Sequence, residues 1–289
     1  MKNTGRLFLS LVLFASCTKE VKLDLPVKDP KLVLDCFISP QDTLIRAWVS
    51  ESVPVFGVNQ NQSTGGFIPN ATVVISDGVN SQTLFFDSQY QYYKVSASVF
   101  PIVGGRTYYM TVSTPDGKSC SAQTTVPATA NTSLTATVAN YSYSVAGNGF
   151  ERKCNINYSF TDTPGEGDYY RVHLEEAQYY PLVPQYDSLY NDLYVMAFET
   201  DEKKDGTSFT YTATYDEVVN DTVNFNYSKT KTVHLNLLHV NHDYYDYHYR
   251  LLNYSPQNPF SEPTIFHSNV NNGYGCFGAY NMCTHYIVF

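Results

Sequence analysis

The sequence predicts a mainly β protein: two successive β-rich parts with one helix near the C-terminal end. Three observations carry this. Charged residues make up only 16% of the 289 residues, while 26 Tyr and 17 Phe stand against one Trp. That composition suits half-buried sheet faces, whereas helical bundles need Glu, Lys, Arg, Ala and Leu. Short alternating or β-branched runs recur between Gly, Pro, Asn and Asp turn signals, at the spacing of a β-sandwich. One segment, bounded by Asn241 and Pro256, has helical period instead. An aromatic fraction of 15% argues against disorder, and a net charge of −9 argues against general affinity for nucleic acid or anionic lipid headgroups.

The first element is an address. Lys2 and Arg6 precede an apolar run, residues 7–16, that is too short to span a bilayer core of ~20 residues. The run ends in the small residues Ala15 and Ser16 and Cys17 follows, so residues 1–16 read as a signal peptide. Phe14-Ala15-Ser16-Cys17 is similar to a lipobox, with cleavage before a cysteine that carries diacylglycerol. Residues 17–26 are then a lipidated tether, and two or three acyl chains give a stable anchor to a membrane.

Strands are expected over residues 31–38, 42–49, 71–76, 82–86, 91–95, 107–112 and 119–126, with Asp77-Gly78 and Asp116-Gly117 as turns. A Pro/Ala/Thr stretch then places a domain boundary, giving domains 27–128 and 129–289. Further strands are expected over 153–161, 169–175, 193–199, 208–215 and 231–240. In the helix Asn241 is the N-cap and Asp243 lies in the first turn. Tyr245, His248, Tyr249 and Leu252 share one face; Tyr244, Tyr247, Leu251 and Tyr254 share the next. Residues 264–270 follow, then a glycine turn and an aromatic segment ending in a last strand, 284–289.

Chemistry-bearing motifs are few. There is no G-x-S-x-G, H-E-x-x-H or P-loop. A calcium loop starting at Asp201 fails, because Lys203 and Thr212 stand where oxygen ligands belong. The acidic segments 162–168 and 201–205 are expected to be solvated turns. His239, His242, Asp243, Asp246 and His248 cluster in sequence. His242 and Asp246 lie one helical turn apart, but two ligands are too few for a closed site. No metal and no cofactor are therefore expected. Tyr179, Tyr180, Tyr186, Tyr190 and Tyr194 lie in a Pro- and Tyr-rich stretch without clear period. They are the candidate ligand or partner contacts, because Tyr offers rigid amphipathic area at low entropy cost.

With Cys17 lipidated, five cysteines remain, an odd number for an oxidising compartment. Cys36 with Cys120 is one candidate disulfide. Cys276 with Cys283 is another, provided the chain turns between them, since a straight strand would point them to opposite faces.

Four segments together resemble a family of Bacteroidota lipoproteins catalogued as domain-of-unknown-function family 4249. They are residues 17–26 (Cys-Thr-Lys-Glu-Val-Lys-Leu-Asp-Leu-Pro); Lys31-Leu32-Val33-Leu34; Gly104-Gly105-Arg106-Thr107-Tyr108 with Thr124-Thr125-Val126-Pro127; and residues 258–263 with 268–280, the most specific part. Asn272 stands where a second Gly is common in the family, and Cys276 where an aliphatic residue is usual. The resemblance implies an N-terminal immunoglobulin-like β-sandwich and a larger β-rich C-terminal domain on an outer-membrane lipoprotein. It also implies an accessory role beside a TonB-dependent receptor, and it supplies no catalytic residue. Lys19-Glu20 is similar to signals that carry such lipoproteins to the cell surface. In that lineage Asp42-Thr43-Leu44, Asp187-Ser188-Leu189 and Asp221-Thr222-Val223 match an O-glycosylation pattern, with Thr43, Ser188 and Thr222 as acceptors. The expected function is non-catalytic ligand capture or gating with the receptor. The alternatives are surface adhesion and, further off, a hydrolase with a dispersed site.

Overall fold

The computed structural model describes residues 29–53, 66–146, 149–178, 189–219, 231–254 and 266–289. Contacts divide the chain into two units, Met1–Pro30 with Val53–Ser63, and Lys31–Ser52 with Thr64–Phe289. The architecture below is that of the second. Its described residues are mainly β, as the composition predicts, with one helix among them.

Seven strands build the first half: β1 (Leu32–Ile38), β2 (Leu44–Glu51), β3 (Thr72–Ser76), β4 (Ser81–Asp87), β5 (Tyr92–Ser96), β6 (Thr107–Ser113) and β7 (Ser119–Thr125). Strand β4 changes partners midway. Residues 81–84 pair with β3 and residues 85–87 with β5, so β4 links the β3, β6 and β7 strands to β1, β2 and β5 around one core. Alternation then drives one face of each strand inward: Leu34, Cys36 and Ile38 of β1, Ile45 and Ala47 of β2, Val73 and Ile75 of β3, Tyr108 and Met110 of β6 form one buried core.

The second half adds β8 (Thr135–Ala146), β9 (Gly149–Thr161), β10 (Tyr169–Gln178), β11 (Leu189–Thr200), β12 (Ser208–Val219) and β13 (Thr232–Val240), the helix α1 (His242–Leu252), and β14 (Gly273–Val288). A three-stranded sheet, β12-β9-β8, covers β10 and β13. Between them lies a second core containing Ile156, Phe160, Tyr170, Val172, Leu235, Leu237 and Phe209. Helix α1 covers a third, smaller cluster of Leu238, Val240 and Tyr244.

The segment expected to be a glycine turn is the start of β14, the longest strand described. Residues 273–279 pair parallel with β1, and residues 280–288 pair antiparallel with β13. The strand therefore supplies Phe277 and Ala279 to the first core and Ile287 to the second. One sheet runs β11-β10-β13-β14-β1-β2-β5-β4-β3-β6-β7. A backbone bridge between Ser121 of β7 and Asn271 brings its far end back beside the start of β14. The expected boundary after residue 128 falls between β7 and β8. The two larger cores lie on either side of it in sequence, except that Val270, Phe277 and Ala279 join the first.

The cysteine pairings need correction. Cys36, Cys120, Cys154, Cys276 and Cys283 are all free. Gly273, opposite Leu32, lies against the Cβ of Cys120, so Cys36, four residues farther along β1, is about 13 Å away at ~3.3 Å per residue. Cys276 and Cys283 sit in one continuous strand with no turn between them. Burial raises the thiol pKa of Cys120 to about 11 and pushes Cys36 well above its ordinary value, so these two behave as small apolar side chains.

Candidate functional site

Strand alternation decides what lies beneath α1. While Leu32, Leu34, Cys36 and Ile38 point into the first core, Val33, Asp35 and Phe37 take the opposite face. Helix α1 is fixed over that face by its cap. The Oδ1 of Asn241 accepts from the Tyr244 backbone at 3.2 Å and from the Ala279 backbone at 3.0 Å. Its Nδ2 donates to Thr124 Oγ1 at 2.9 Å. The helix start is thereby tied to β14 and β7 at once.

Below the helix, Phe37 packs edge-on against Tyr244 with ring centres 5.3 Å apart, and against His248 at 4.6 Å. Arg171 donates to the Tyr244 hydroxyl at 2.6 Å. Burial, reinforced by the Arg171 charge, lowers the His248 pKa to about 3, so this histidine is neutral structural packing. Tyr247 hydrogen-bonds Asp35, whose carboxyl also accepts from the Cys276 backbone at 3.1 Å. Burial outweighs both bonds and raises the Asp35 pKa.

Where the helix ends, Val33, Tyr247, Leu251, Phe266, His267, Ser268, Tyr274 and Gly275 line an open groove of about 410 Å³. Leu251 and Tyr274 on its wall are 50% and 44% exposed. Leu252 and Tyr254 are exposed as well, and Tyr254 packs on Phe266 with ring centres 5.2 Å apart. His267 supplies the polar corner. Its Nε2 lies 2.6 Å from Asp243 Oδ1 and its Nδ1 3.4 Å from Asp246 Oδ2.

The histidine cluster read from the sequence separates into three places. His239 bonds Asp168 at 2.9 Å and the Thr129 carbonyl at 3.1 Å. His248 is packed under the helix. His242, Asp243 and Asp246 stay together and are joined by His267, more than twenty residues away. No spacing signal announced His267, Asp35 or Tyr274. They meet because β1, α1 and β14 converge.

Other candidate residues fall elsewhere. Cys17, Tyr179, Tyr180, Tyr186, Ser188 and Thr222 lie outside the described residues. Tyr190 and Tyr194, read as part of an irregular stretch, belong to β11, where they stand opposite Ala177 and Leu174 of β10. Thr43 is exposed in the bend before β2, while neighbouring Asp42 accepts from the Tyr280 hydroxyl at 2.8 Å. The acidic segments are largely exposed turns, as expected, except at the first residue of each. Asp162 and Asp201 are 2% and 4% exposed, and their carboxylates accept from the backbone N–H of Gly206 and Gly167 at 2.8 and 2.7 Å. Asp205 accepts from Gly165 at 2.8 Å. These bonds interlock the two loops.

Among the described residues, no helix is long and apolar enough to cross a membrane. The model of a family described as Domain of unknown function (DUF4249) matches residues 18–285, which include every residue of this site. No curated protein matches the chain. Among solved structures, a mutant of Salmonella alpha-2-macroglobulin is similar over 92% of this chain, at 9% identity and a TM-score of 0.22. The chain spans 15% of that protein's length, and a likeness at this score carries no argument.

Proposed function

This chain belongs to the DUF4249 family, and from that premise we propose that it is an outer-membrane lipoprotein, anchored through Cys17. In this reading it is a non-catalytic accessory or ligand-capture subunit of a TonB-dependent receptor. The observation that carries the capture role is the groove at the end of α1. Leu251, Phe266 and Tyr274 line it and are exposed, and exposed Tyr254 packs on Phe266. Contiguous exposed apolar area of this kind marks a contact site, and a rigid sheet beneath it presents the contact at low entropy cost. The anchor rests on the signal and lipobox-like sequence, and surface exposure on Lys19-Glu20.

The test is affinity purification from the native cell through a C-terminal tag. A receptor barrel identified by mass spectrometry is expected to co-purify with the wild type and to be lost with Tyr274→Ser plus Leu251→Ser, while the melting temperature holds. Recovery of the lipoprotein without any barrel would favour the adhesion reading instead. Labelling with a radioactive fatty acid, abolished by Cys17→Ala, checks the anchor in the same cells.

A further inference from the structure

We infer that His242, Asp243 and His267 bind a divalent transition-metal ion, zinc by donor chemistry, at the exposed start of α1. The ligand atoms of these three residues all lie within 4.8 Å of one another. Two imidazole nitrogens with one carboxylate oxygen form a donor set that suits zinc and leaves a coordination position for water or another ligand.

A supporting shell is already built around them. Asn269 donates to Asp243 Oδ2 at 2.9 Å, which leaves Oδ1 as the oxygen facing His267. The same amide is held by β14: its Nδ2 donates to the Phe277 carbonyl at 2.8 Å, and its Oδ1 accepts from the Phe277 backbone at 2.9 Å. On the other side of His267, Asp246 Oδ2 lies 3.4 Å from Nδ1, and Arg250 holds the second oxygen of that carboxylate at 2.8 Å. A carboxylate on Nδ1 is how proteins orient a histidine that ligates through Nε2. The Nε2 of His267 faces Asp243 Oδ1. Bonds of about 2.0–2.2 Å at a tetrahedral angle set two ligand atoms about 3.3 Å apart, so their 2.6 Å contact must open by about 0.7 Å as the ion enters. His242 reaches the pair from the first turn, with its ring centre 5.9 Å from that of His267.

The inference does not depend on the transport reading. The mature chain, purified through a tag free of histidine and stripped with a chelator, is titrated with zinc chloride in a calorimeter. One site per chain is expected. His242→Ala should abolish it without moving the melting temperature, because His242 is exposed. Asp246→Asn should weaken it 10–100-fold, the usual effect of losing an orienting partner. His267→Gln should abolish it too, in a variant that keeps a polar side chain in the groove. No saturable binding, or binding that survives His242→Ala, would overturn the assignment and leave only scattered surface histidines.

Discussion

Asp42 shows how one residue can be well placed and still destabilising. It lies between β1 and β2 and accepts from the Tyr280 hydroxyl at 2.8 Å. Burial raises its pKa to about 6, against the lowering effect of that bond and of the Arg46 charge. In the unfolded chain the same carboxyl titrates near ~3.9. Between these two values the folded state binds more protons than the unfolded state, so stability falls as pH rises through the window. Above pH 6 the folded protein holds an ionised, desolvated carboxylate at a cost of up to about 3 kcal/mol. Asp42→Asn keeps an acceptor for Tyr280 and removes the charge. The variant should melt higher than the wild type at pH 7 and lose its advantage below pH 4. Melting curves that run parallel from pH 4 to pH 8 would show that the carboxylate is better solvated than its burial implies. The chain order Asp42-Thr43-Leu44 could suggest a modification pattern, but nothing in it disclosed that Asp42 turns to Tyr280, because Tyr280 comes from a strand more than two hundred residues later.

The helix and most strands were legible because each carries its own periodic signal. Asn241 as cap and Asp243 in the first turn are enough to begin α1, and alternation in residues 32–38 is enough to define β1. Only the end of β14 was legible, as the last strand; its start was not. Glycines at 273, 275 and 278 read as a turn, since Gly weakens a strand interior. The structure gives them another purpose, close approach to β1. A Cβ on Gly273 would lie 2.7 Å from the Leu32 carbonyl oxygen, and one on Gly275 would lie 2.2 Å from that of Leu34. Gly275 also has φ +102, which side chains rarely adopt. Asn272, standing where a second Gly is common in the family, has φ +59, a region that Asn tolerates better than other residues with a side chain. Cys276 fills a fully buried position, where a small apolar group serves in place of an aliphatic one. Gly275→Ala should therefore pry β14 from β1 and cost about 3 kcal/mol or more, as both a backbone clash and a forced φ. Gly117→Ala, also at positive φ but with nothing within 4 Å of its Cβ, should cost about 1–2 kcal/mol from the forced φ alone. Urea denaturation of the two variants compares them, and equal losses would mean that β14 can shift without penalty.

At the scale of the molecule, the question is whether the two halves are separate stability units. The Pro/Ala/Thr stretch after residue 126 reads as a boundary, and the two larger cores are distinct. Against this, β14 pairs with β1 of the first half and with β13 of the second, and gives side chains to both cores. No local pattern foretells such a link, because it depends on the last strand returning to the first. The single tryptophan, Trp48, provides the probe. It lies on β2, with its ring centre 5.6 Å from that of Tyr92, and so reports on the first half. Leu235 is fully buried in the second core on β13 and stands opposite His285 of β14. Leu235→Ala should remove about 2–5 kcal/mol from that core. If β14 couples the halves, the urea midpoint read from Trp48 fluorescence should fall together with the midpoint read from far-ultraviolet circular dichroism. A Trp48 midpoint that stays fixed while the dichroism splits into two transitions would make the boundary at residue 128 a true division of stability. The groove and the histidine pair sit where β1, α1 and β14 meet. In the coupled case, damage to the second core should therefore weaken zinc and partner binding at a distance, whereas independent halves would leave the β1 wall intact.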